Sequence, residues 1–223
     1  MRLSKLFDHM RLRKLLLATG VGVLLFAGVG YRMPTDPTGP DARTFVAAPP
    51  ATVAAVGDSI TEGYLAPVSW PELVARWDNA TVTNLGHPGW ATSEMVEHFG
   101  DAIATGAQVI TIMGGTNDCA YGVPVSQAAA NIASMATAAE QAGRRPVLIA
   151  PLPRAGADNE CLRNLGAAES AYASASNIPF VDAWETFSGP NAFQDLYVDG
   201  THLNEQGAIL LAGLVAQTLG WVG

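Results

Sequence analysis

A serine stands in the short segment GDSIT, residues 57–61, of this 223-residue chain. The run before it, residues 52–57, is apolar, so we predict a buried strand that delivers Ser59 to a turn at the start of a helix. A serine held on such a turn can act as a nucleophile, and its own backbone N–H can point at a developing oxyanion. Ser is also among the best helix N-cap residues, so Ser59 taken alone leaves nucleophile and cap equally open.

A second segment that can do chemistry is DGTH, residues 199–202, which precedes the last predicted helix. A three-residue step across a glycine turn can bring the Asp199 carboxylate to one ring nitrogen of His202 and leave the other nitrogen facing a serine. In isolation, a surface turn followed by Asn204 as a helix cap explains the segment better. His87 is a rival base, but no acidic residue stands at a comparable spacing, so we expect a loop histidine there.

Two further segments offer hydrogen-bond donors for an oxyanion. The segment GGTND follows a strongly apolar run, and the side chain of Asn117 within it carries two N–H donors. An Asx turn that ends the strand is the alternative, and it explains Asp118 well and Asn117 less well. The segment NLGHPG follows another predicted strand, and we choose Gly89 over Gly86 as the source of a backbone N–H donor.

Short β-rich runs alternate with longer helical patterns from residue 52 onward, an order typical of a parallel sheet covered by helices on both faces. We therefore predict an α/β fold, a three-layer α/β/α sandwich around a five-stranded, parallel, doubly wound sheet. In such folds functional groups gather at the carboxyl ends of the strands. The predicted strands are 52–57, 81–85, 108–113, 146–150 and 178–181. The predicted helices are 70–77, 92–104, 127–142, 161–174 and 205–219.

Together the four segments resemble the GDSL, or SGNH, family of serine esterases and lipases, whose motifs occur in the same order from about residue 53 to the C-terminus. The resemblance implies a flavodoxin-like SGNH hydrolase. It implies Ser59 as nucleophile, His202 as general base and Asp199 as the group that orients the base. It also implies Gly89 and Asn117 as oxyanion donors beside the N–H of Ser59. The reaction implied is hydrolysis through an acyl-enzyme, which needs no metal and no cofactor.

One residue departs from the family pattern, and the motifs of two other classes are missing from the sequence. Ile60 stands where the family name has leucine, an apolar exchange that changes no catalytic group. The elbow G-x-S-x-G of the larger α/β-hydrolase class occurs nowhere in the sequence. No G-x-G-x-x-G follows the first predicted strand, so a dinucleotide-binding Rossmann domain is disfavoured.

Residues 1–31 differ in composition from the rest of the chain. The first fourteen carry five basic side chains against one acidic side chain, and the others run without a charge. This pattern favours an uncleaved signal anchor over a cleaved signal peptide, and a buried core helix is the weakest interpretation. Residues 32–50 contain five prolines, which predicts a linker. Residues 51–223 then form the hydrolase domain, held outside the cytoplasm at the membrane, or secreted if the segment is cleaved.

The net charge indicates which partners are disfavoured, and the two cysteines bear on the compartment. After residue 31 the chain holds seven arginines, no lysine and nineteen acidic residues, a formal charge of −12. That balance favours solubility and disfavours binding to nucleic acid, which needs a basic surface. The two cysteines are Cys119 and Cys161, and in an oxidising compartment a disulfide between them is the default. Such a bridge would brace the segment that carries Asn117.

The sequence indicates least about the substrate. It has no long insertion that would form a lid, and short strand-end loops favour a small acyl group, such as an acetyl ester on a cell-envelope or extracellular carbohydrate. A lysophospholipase or thioesterase-like lipid hydrolase is the alternative among enzymes, and a non-catalytic glycan-binding envelope domain is the alternative outside them. We expect a monomer that meets the membrane through its N-terminal segment. Four aromatic residues are candidates for walls of the site or for ordinary packing: Trp90, Tyr121, Trp184 and Tyr197.

Overall fold

The structure is a computed structural model that describes residues 51–156 and 159–220. The predicted anchor, residues 1–31, and the predicted linker, residues 32–50, lie outside the described residues. Within the described ranges, no helix is both long enough and apolar enough to cross a membrane.

Five parallel strands form one sheet in the described part of the chain: β1 (Thr52–Gly57), β2 (Thr81–Gly86), β3 (Val109–Met113), β4 (Arg145–Ile149) and β5 (Phe180–Val181). Their order is β2-β1-β3-β4-β5, the flavodoxin-like order, with its switch point between β1 and β3. The carboxyl ends of three strands are level, because Gly57 pairs with Gly86 on one side and with Met113 on the other. Residues that follow β1, β2 and β3 therefore meet at one edge.

Helices cover both faces of the sheet. The longer ones in the described ranges are α2 (Trp70–Asp78), α6 (Val125–Gln141), α7 (Asn159–Ser176) and α10 (Glu205–Leu219). The shorter ones are α1 (Ser59–Glu62), α3 (Thr92–Glu97), α4 (Phe99–Ala104), α5 (Thr116–Tyr121), α8 (Trp184–Phe187) and α9 (Ala192–Asp195).

The side chains of β1 show how the layers are built. Val53 and Ala55 join an apolar cluster with α2 and α10, whereas Ala54 and Val56 join a second cluster with α3, α4, α6 and α7. Alternate residues of a strand point to opposite faces, so this strand, which is buried on both faces, is apolar at every position from 53 to 56. The predicted three-layer α/β/α sandwich with a five-stranded, parallel, doubly wound sheet is confirmed.

The predicted single helix 92–104 is wrong in one respect. The structure divides it into α3 and α4 at His98, whose φ of −99° and ψ of 5° interrupt the helix. A helix start at Ser59 was predicted without an end and is α1, whereas α5, α8 and α9 were not predicted, because elements of four to six residues are too short to show a helical period. The predicted strand 52–57 and helix 205–219 match β1 and α10 at both ends, and the remaining predicted elements differ from the structure by one or two residues at their ends.

A disulfide joins α5 to α7. It links Cys119 and Cys161, whose Cα atoms are 5.7 Å apart, as the sequence predicts for an oxidising compartment. Cys119 lies two residues after Asn117 on the same short helix, so the bridge ties the helix that carries Asn117 to a long helix of the outer layer.

Candidate active site

Ser59 is the first residue of α1, directly after β1 and Asp58. Asp58 caps this helix, since its Oδ1 atom accepts a hydrogen bond of 2.9 Å from the N–H of Ile60. The alternative that Ser59 is the cap is therefore wrong, and the serine hydroxyl is available to another partner. Ser59 is only 8% exposed, so its hydroxyl lies just below the protein surface.

The end of β2 holds α1 in place. The Asn84 side chain donates a hydrogen bond of 2.8 Å to the carbonyl of Thr61. Gly86 packs so closely on the helix that a Cβ atom there would lie 2.2 Å from the backbone nitrogen of Glu62. The N–H of Gly86 already donates to the side-chain oxygen of Asn84 at 2.9 Å. Gly86 therefore has a packing role, and its N–H is not available to an oxyanion.

Three side chains form a continuous hydrogen-bonded chain at the edge of the sheet. The Ser59 Oγ atom lies 3.0 Å from Nε2 of His202, which is 143 residues away in sequence. The other ring nitrogen, Nδ1, lies 2.7 Å from Oδ2 of Asp199. Because a carboxylate can only accept, Nδ1 carries the proton, and the lone pair of Nε2 faces the serine hydroxyl. General-base activation of a serine requires this arrangement.

The Asp199 carboxylate also shapes its own turn. Its Oδ1 atom accepts hydrogen bonds from the backbone N–H groups of Thr201 and His202, at 2.9 Å and 2.8 Å. Partial burial by itself would raise the pKa of Asp199. The hydrogen bonds from the backbone and ring of His202 and from Thr201 outweigh burial and lower the pKa of Asp199 to about 2. The carboxylate is therefore ionised at neutral pH and can stabilise an imidazolium.

The turn that carries His202 is fixed from two sides. Gly200 has a φ of +81°, and its carbonyl accepts a hydrogen bond of 2.8 Å from the backbone of the loop after β4. In the same loop, Nε of Arg154 donates to the Thr201 hydroxyl at 3.1 Å. On the other side, Asn204 caps α10 by accepting a bond of 3.0 Å from a backbone N–H of its first turn. Sequence reasoning found this cap but missed Arg154, since the loop after β4 carries no motif.

Asn117 lies in the first turn of α5, at the end of β3. Its Nδ2 atom donates a hydrogen bond of 2.8 Å to the carbonyl of Trp90, in the loop after β2. This bond fixes which end of the amide is the nitrogen, and it uses one of the two N–H donors. The second donor remains for a ligand. The role of the Trp90 carbonyl was missed from the sequence, since a backbone acceptor leaves no trace in residue type.

Gly89 lies in the same loop, with a φ of +83°. Its carbonyl accepts a hydrogen bond of 3.1 Å from the hydroxyl of Tyr121, which sits at the end of α5. A Cβ atom at Gly89 would meet only that hydroxyl, at 3.9 Å, so the backbone conformation and not crowding calls for glycine. The loop after β2 is thus bonded to α5 through both Gly89 and Trp90.

A network of buried hydrogen bonds links α5 to neighbouring helices. The Asp118 carboxylate is 1% exposed and accepts hydrogen bonds from the backbone and the hydroxyl of Thr92, at 2.9 Å and 2.6 Å. The Thr92 hydroxyl in turn accepts a bond of 2.9 Å from Asn131 of α6. The Asx-turn explanation of Asp118 is therefore wrong, because its side chain bonds to a residue 26 positions earlier. Together with the disulfide, the network holds the helix of Asn117 against three neighbouring elements.

Two carboxyl groups, those of Asp58 and Glu169, are buried. Burial raises the pKa of Asp58 to about 6, although the hydrogen bond from Ile60 lowers it. Burial raises the pKa of Glu169, on α7, well above 4.5, and the nearby charge of Asp118 raises it further. Both groups are at most 2% exposed. Burial therefore disfavours the ionised form of both groups.

Asparagine in place of Asp58 is expected to stabilise the fold at neutral pH but not at acid pH. The stabilising contribution of the protonated Asp58 is fully present below pH 3.8 and is lost as the pH rises through about 6. The loss is on the order of 3 kcal/mol. Asparagine keeps an oxygen for the N–H of Ile60 and does not titrate. In urea unfolding, Asp58→Asn should gain up to that amount at pH 7.5 and nearly nothing at pH 4.

The matched control for this measurement is Asp195→Asn, the same exchange at an exposed position of α9. It should change the free energy of unfolding little at either pH. A gain for Asp58→Asn that is equal at both pH values would contradict the assignment, because it would not come from a titrating carboxyl.

The remaining sequence candidates have other surroundings. His87 stacks on Trp90, with ring centroids 4.0 Å apart, so it does not take the place of His202 beside the serine. Trp90 lies in the loop after β2, and Tyr121 is the last residue of α5. Tyr197 is buried, and its hydroxyl donates to the carbonyl of Pro153 at 2.9 Å, so it belongs to the core. Trp184 packs below the guanidinium of Arg163, 5.1 Å from the ring centroid.

A cavity of about 810 Å³ lies at the opposite edge of the sheet. Its walls include Arg145 at the start of β4, Asn177 and the C-terminal turns of α6 and α7. Arg144 in this wall donates to the carbonyl of Gly106 at 3.0 Å. The cavity is therefore remote from Ser59, and arginines beside helix C-termini have an ordinary structural role there.

Comparison with known proteins identifies the family. The family model of the GDSL-like lipase/acylhydrolase family matches residues 55–209. No match to the chain was found among curated proteins.

Several solved structures share the fold. A lipase/acylhydrolase from Enterococcus faecalis is 23% identical, with a TM-score of 0.68 over 76% of this chain and 95% of that chain. A member of the lipolytic protein G-D-S-L family from Veillonella parvula is 23% identical, with a TM-score of 0.67 over 75% and 97%. A catalytic mutant of an acetylxylan esterase from Geobacillus stearothermophilus is 18% identical, with a TM-score of 0.69 over 78% and 96%.

Proposed function

Since the chain belongs to the GDSL-like lipase/acylhydrolase family, we propose that it hydrolyses carboxylic esters with Ser59 as nucleophile, His202 as general base and Asp199 as the residue that orients the base. The observation that carries the proposal is the unbroken chain from Ser59 Oγ to Nε2, and from Nδ1 to the Asp199 carboxylate. A serine, an imidazole and a carboxylate in this order form the triad of acyl transfer.

The reaction proceeds in two steps. Ser59 Oγ bonds to the ester carbonyl carbon while its proton passes to Nε2 of His202, and a tetrahedral oxyanion forms. The oxyanion accepts from the N–H groups of Ser59 and Gly89 and from the second N–H of Asn117. The bond to the alcohol oxygen then breaks, and His202 gives the proton to that oxygen. Water repeats the sequence on the acyl-enzyme, which releases the carboxylic acid and restores the serine.

Replacement of Asn117 by alanine is expected to lower kcat by roughly 10² to 10³ and to leave KM nearly unchanged, because the lost donor acts on the transition state. Steady-state kinetics on a chromogenic acetate ester measures both constants. Thermal unfolding of the same variant shows whether loss of the bond to Trp90 disturbs the fold.

Asn191→Ala is the matched control, since Asn191 is exposed and makes no side-chain cap bond at the start of α9. It should leave both constants unchanged. A decrease in kcat of less than tenfold for a well-folded Asn117→Ala variant would remove Asn117 from the oxyanion site.

The acyl group is proposed to be short, an acetyl group on a cell-envelope or extracellular carbohydrate. The crevice beside α1, between Ile60, Trp70 and Leu203, has no room for a water molecule, so a long acyl chain does not enter the domain there. The acetylxylan esterase with the same fold supports an acetylated carbohydrate, although only 18% of its residues are identical. A lipid hydrolase of lysophospholipase or thioesterase type is the second candidate, on the strength of the predicted membrane segment.

A series of esters of one chromogenic alcohol tests this proposal. We expect the highest kcat/KM for the acetyl ester and a steady decrease from butyryl to octanoyl and palmitoyl. A kcat/KM at least tenfold higher for the long-chain esters would replace the proposal with the lipid hydrolase. Binding of glycans without hydrolysis of any ester would favour the non-catalytic alternative.

The hydrolase domain is proposed to act outside the cytoplasm, where residues 1–31 direct and anchor it and residues 32–50 link it to the membrane. The basic flank and uncharged run of the sequence support this, and so does the disulfide between Cys119 and Cys161, which persists in oxidising compartments. The N-terminus of the mature protein decides between anchor and cleaved signal. A mature protein that begins at residue 1 supports the anchor, and one that begins within residues 32–50 supports secretion.

A further inference from the structure

We propose that Tyr64, together with Leu65, forms a platform for the leaving alcohol and selects a ring-shaped, uncharged alcohol such as a sugar hydroxyl. This inference rests on the proposed function, because it assumes that Ser59 and His202 act on an ester. It concerns the alcohol side of the ester and not the acyl side. The sequence did not point to either residue.

The position of the leaving alcohol follows from the reaction. His202 must give its proton to the alcohol oxygen from Nε2, so that oxygen comes to about 3 Å from Nε2. The carbon atoms attached to the oxygen then lie beside the imidazole ring. The ring of Tyr64 also lies there, with its centroid 4.9 Å from the centroid of the His202 ring and the two planes at 68°. An alcohol that leaves from Nε2 on the side of this ring is therefore within reach of van der Waals contact with Tyr64.

The backbone fixes Tyr64 relative to the nucleophile. The N–H groups of Gly63 and Tyr64 both donate to the carbonyl of Ser59, each at 3.0 Å. Gly63 has a φ of +95°, and a Cβ atom there would lie 2.6 Å from the Cβ of Ser69, so the turn packs closely against Ser69. The platform is thus built on the helix of the nucleophile and keeps its distance from the reacting atoms.

Both side chains of the platform are half exposed although most of their surface is apolar. Tyr64 and Leu65 are each 48% exposed, and the Tyr64 ring contacts the ring of His202. Leu65 has a φ of +66°, a left-handed backbone conformation that a leucine rarely adopts and that persists only where the surroundings impose it. A half-exposed tyrosine next to an exposed leucine offers a flat apolar surface with one polar end, which suits the C–H face and hydroxyl rim of a sugar ring.

The charges around the platform argue against an anionic alcohol. Glu62 is exposed two residues before Tyr64, and the side chain of Asp199 is 44% exposed and lies 2.7 Å from Nδ1 of His202. The leaving group of a lysophospholipid carries a phosphate, which these two carboxylates repel. An uncharged sugar meets no such penalty. The platform therefore favours the carbohydrate ester over the lipid within the proposed function.

Two acetate esters that differ only in the alcohol test the platform. The probes are ethyl acetate and a monoacetylated methyl glucoside. Both form the same acetyl-enzyme, so only the leaving alcohol differs. Tyr64→Ala should raise KM for the glucoside acetate at least tenfold and leave kcat/KM for ethyl acetate within twofold. Tyr64→Phe keeps the ring and should leave both substrates nearly unchanged.

Tyr121→Ala is the contrasting variant, since Tyr121 is also an exposed tyrosine but bonds to Gly89 on the oxyanion side. It should lower kcat for both esters by the same factor. Equal losses of kcat/KM on both esters for Tyr64→Ala would overturn the platform, because Tyr64 would then act only through His202. Unchanged kinetics on both esters would overturn it as well. A wild-type protein that hydrolyses neither ester and takes no fluorophosphonate on Ser59 would overturn the proposed function and the platform with it. Labelling of wild-type Ser59 separates these two failures.

Discussion

Replacement of Ser59 by alanine is expected to lower kcat by about 10⁵- to 10⁶-fold, the largest effect of any single change in the site, by analogy with loss of the serine from protease triads. The Ser59 Oγ atom is the only part of the side chain that can bond to the carbonyl carbon, and it lies 3.0 Å from the base. The fold should survive, because Asp58 and not Ser59 caps α1. What activity remains comes from substrate binding and the oxyanion donors.

The measurement combines kinetics with covalent labelling. A fluorophosphonate should add one adduct to the wild-type domain, on Ser59 by peptide mass spectrometry, and none to Ser59→Ala. Ser126→Ala serves as control, because Ser126 is an exposed serine in the first turn of α6. It should keep full activity and full labelling. An adduct on a different serine, or activity of Ser59→Ala within tenfold of wild type, would remove Ser59 as nucleophile.

Asparagine in place of Asp199 is expected to lower kcat by about 10⁴-fold, as the same exchange does in a protease triad. The geometry gives the reason. Oδ1 accepts two backbone N–H groups, from Thr201 and His202, so the oxygen of the asparagine amide must take that position. The NH₂ group then faces Nδ1 of His202 and donates to it. Nδ1 becomes an acceptor, the ring proton moves to Nε2, and Nε2 can no longer take the proton of Ser59.

This prediction separates a tautomer effect from a loss of stability. Because the backbone bonds to the turn are kept, the free energy of unfolding of Asp199→Asn should fall far less than its kcat. Asp195→Asn, the same exchange at an exposed carboxylate four residues earlier, is the control and should keep full kcat. Should Asp199→Asn retain more than a tenth of the wild-type kcat, a different group would have to orient His202.

The two predictions depend on a site that the sequence located only in part. The segments around Ser59, Gly89, Asn117 and His202 were found because chemistry-bearing residues with glycines at strand ends form local patterns. Their common location followed from the fold, since the carboxyl ends of parallel strands meet at one edge. The geometry between the segments had no local pattern, so the distances between these groups were not predictable.

Two interpretations that the sequence left open were decided by neighbouring atoms. Ser59 as a cap and Asp118 as an Asx turn were both reasonable from residue type. In the structure Asp58 takes the cap, and Asp118 accepts from Thr92 instead. A residue type indicates which hydrogen bonds a side chain can make. Which one it makes depends on partners that the fold brings near.

By itself the sequence determined the layered α/β architecture and its five strands, because the buried strands β1, β3 and β4 leave runs of apolar residues that alternate with helical patterns along the chain. Through the family resemblance it also predicted Ser59, His202 and Asp199, three side chains that the structure brings together. Only the tertiary structure decided that the Trp90 carbonyl orients Asn117 across 27 residues and that Tyr64 lies against His202. The physical reason is the same for both contacts: a backbone carbonyl and a half-exposed ring acquire a role only from the distance and direction of a remote partner.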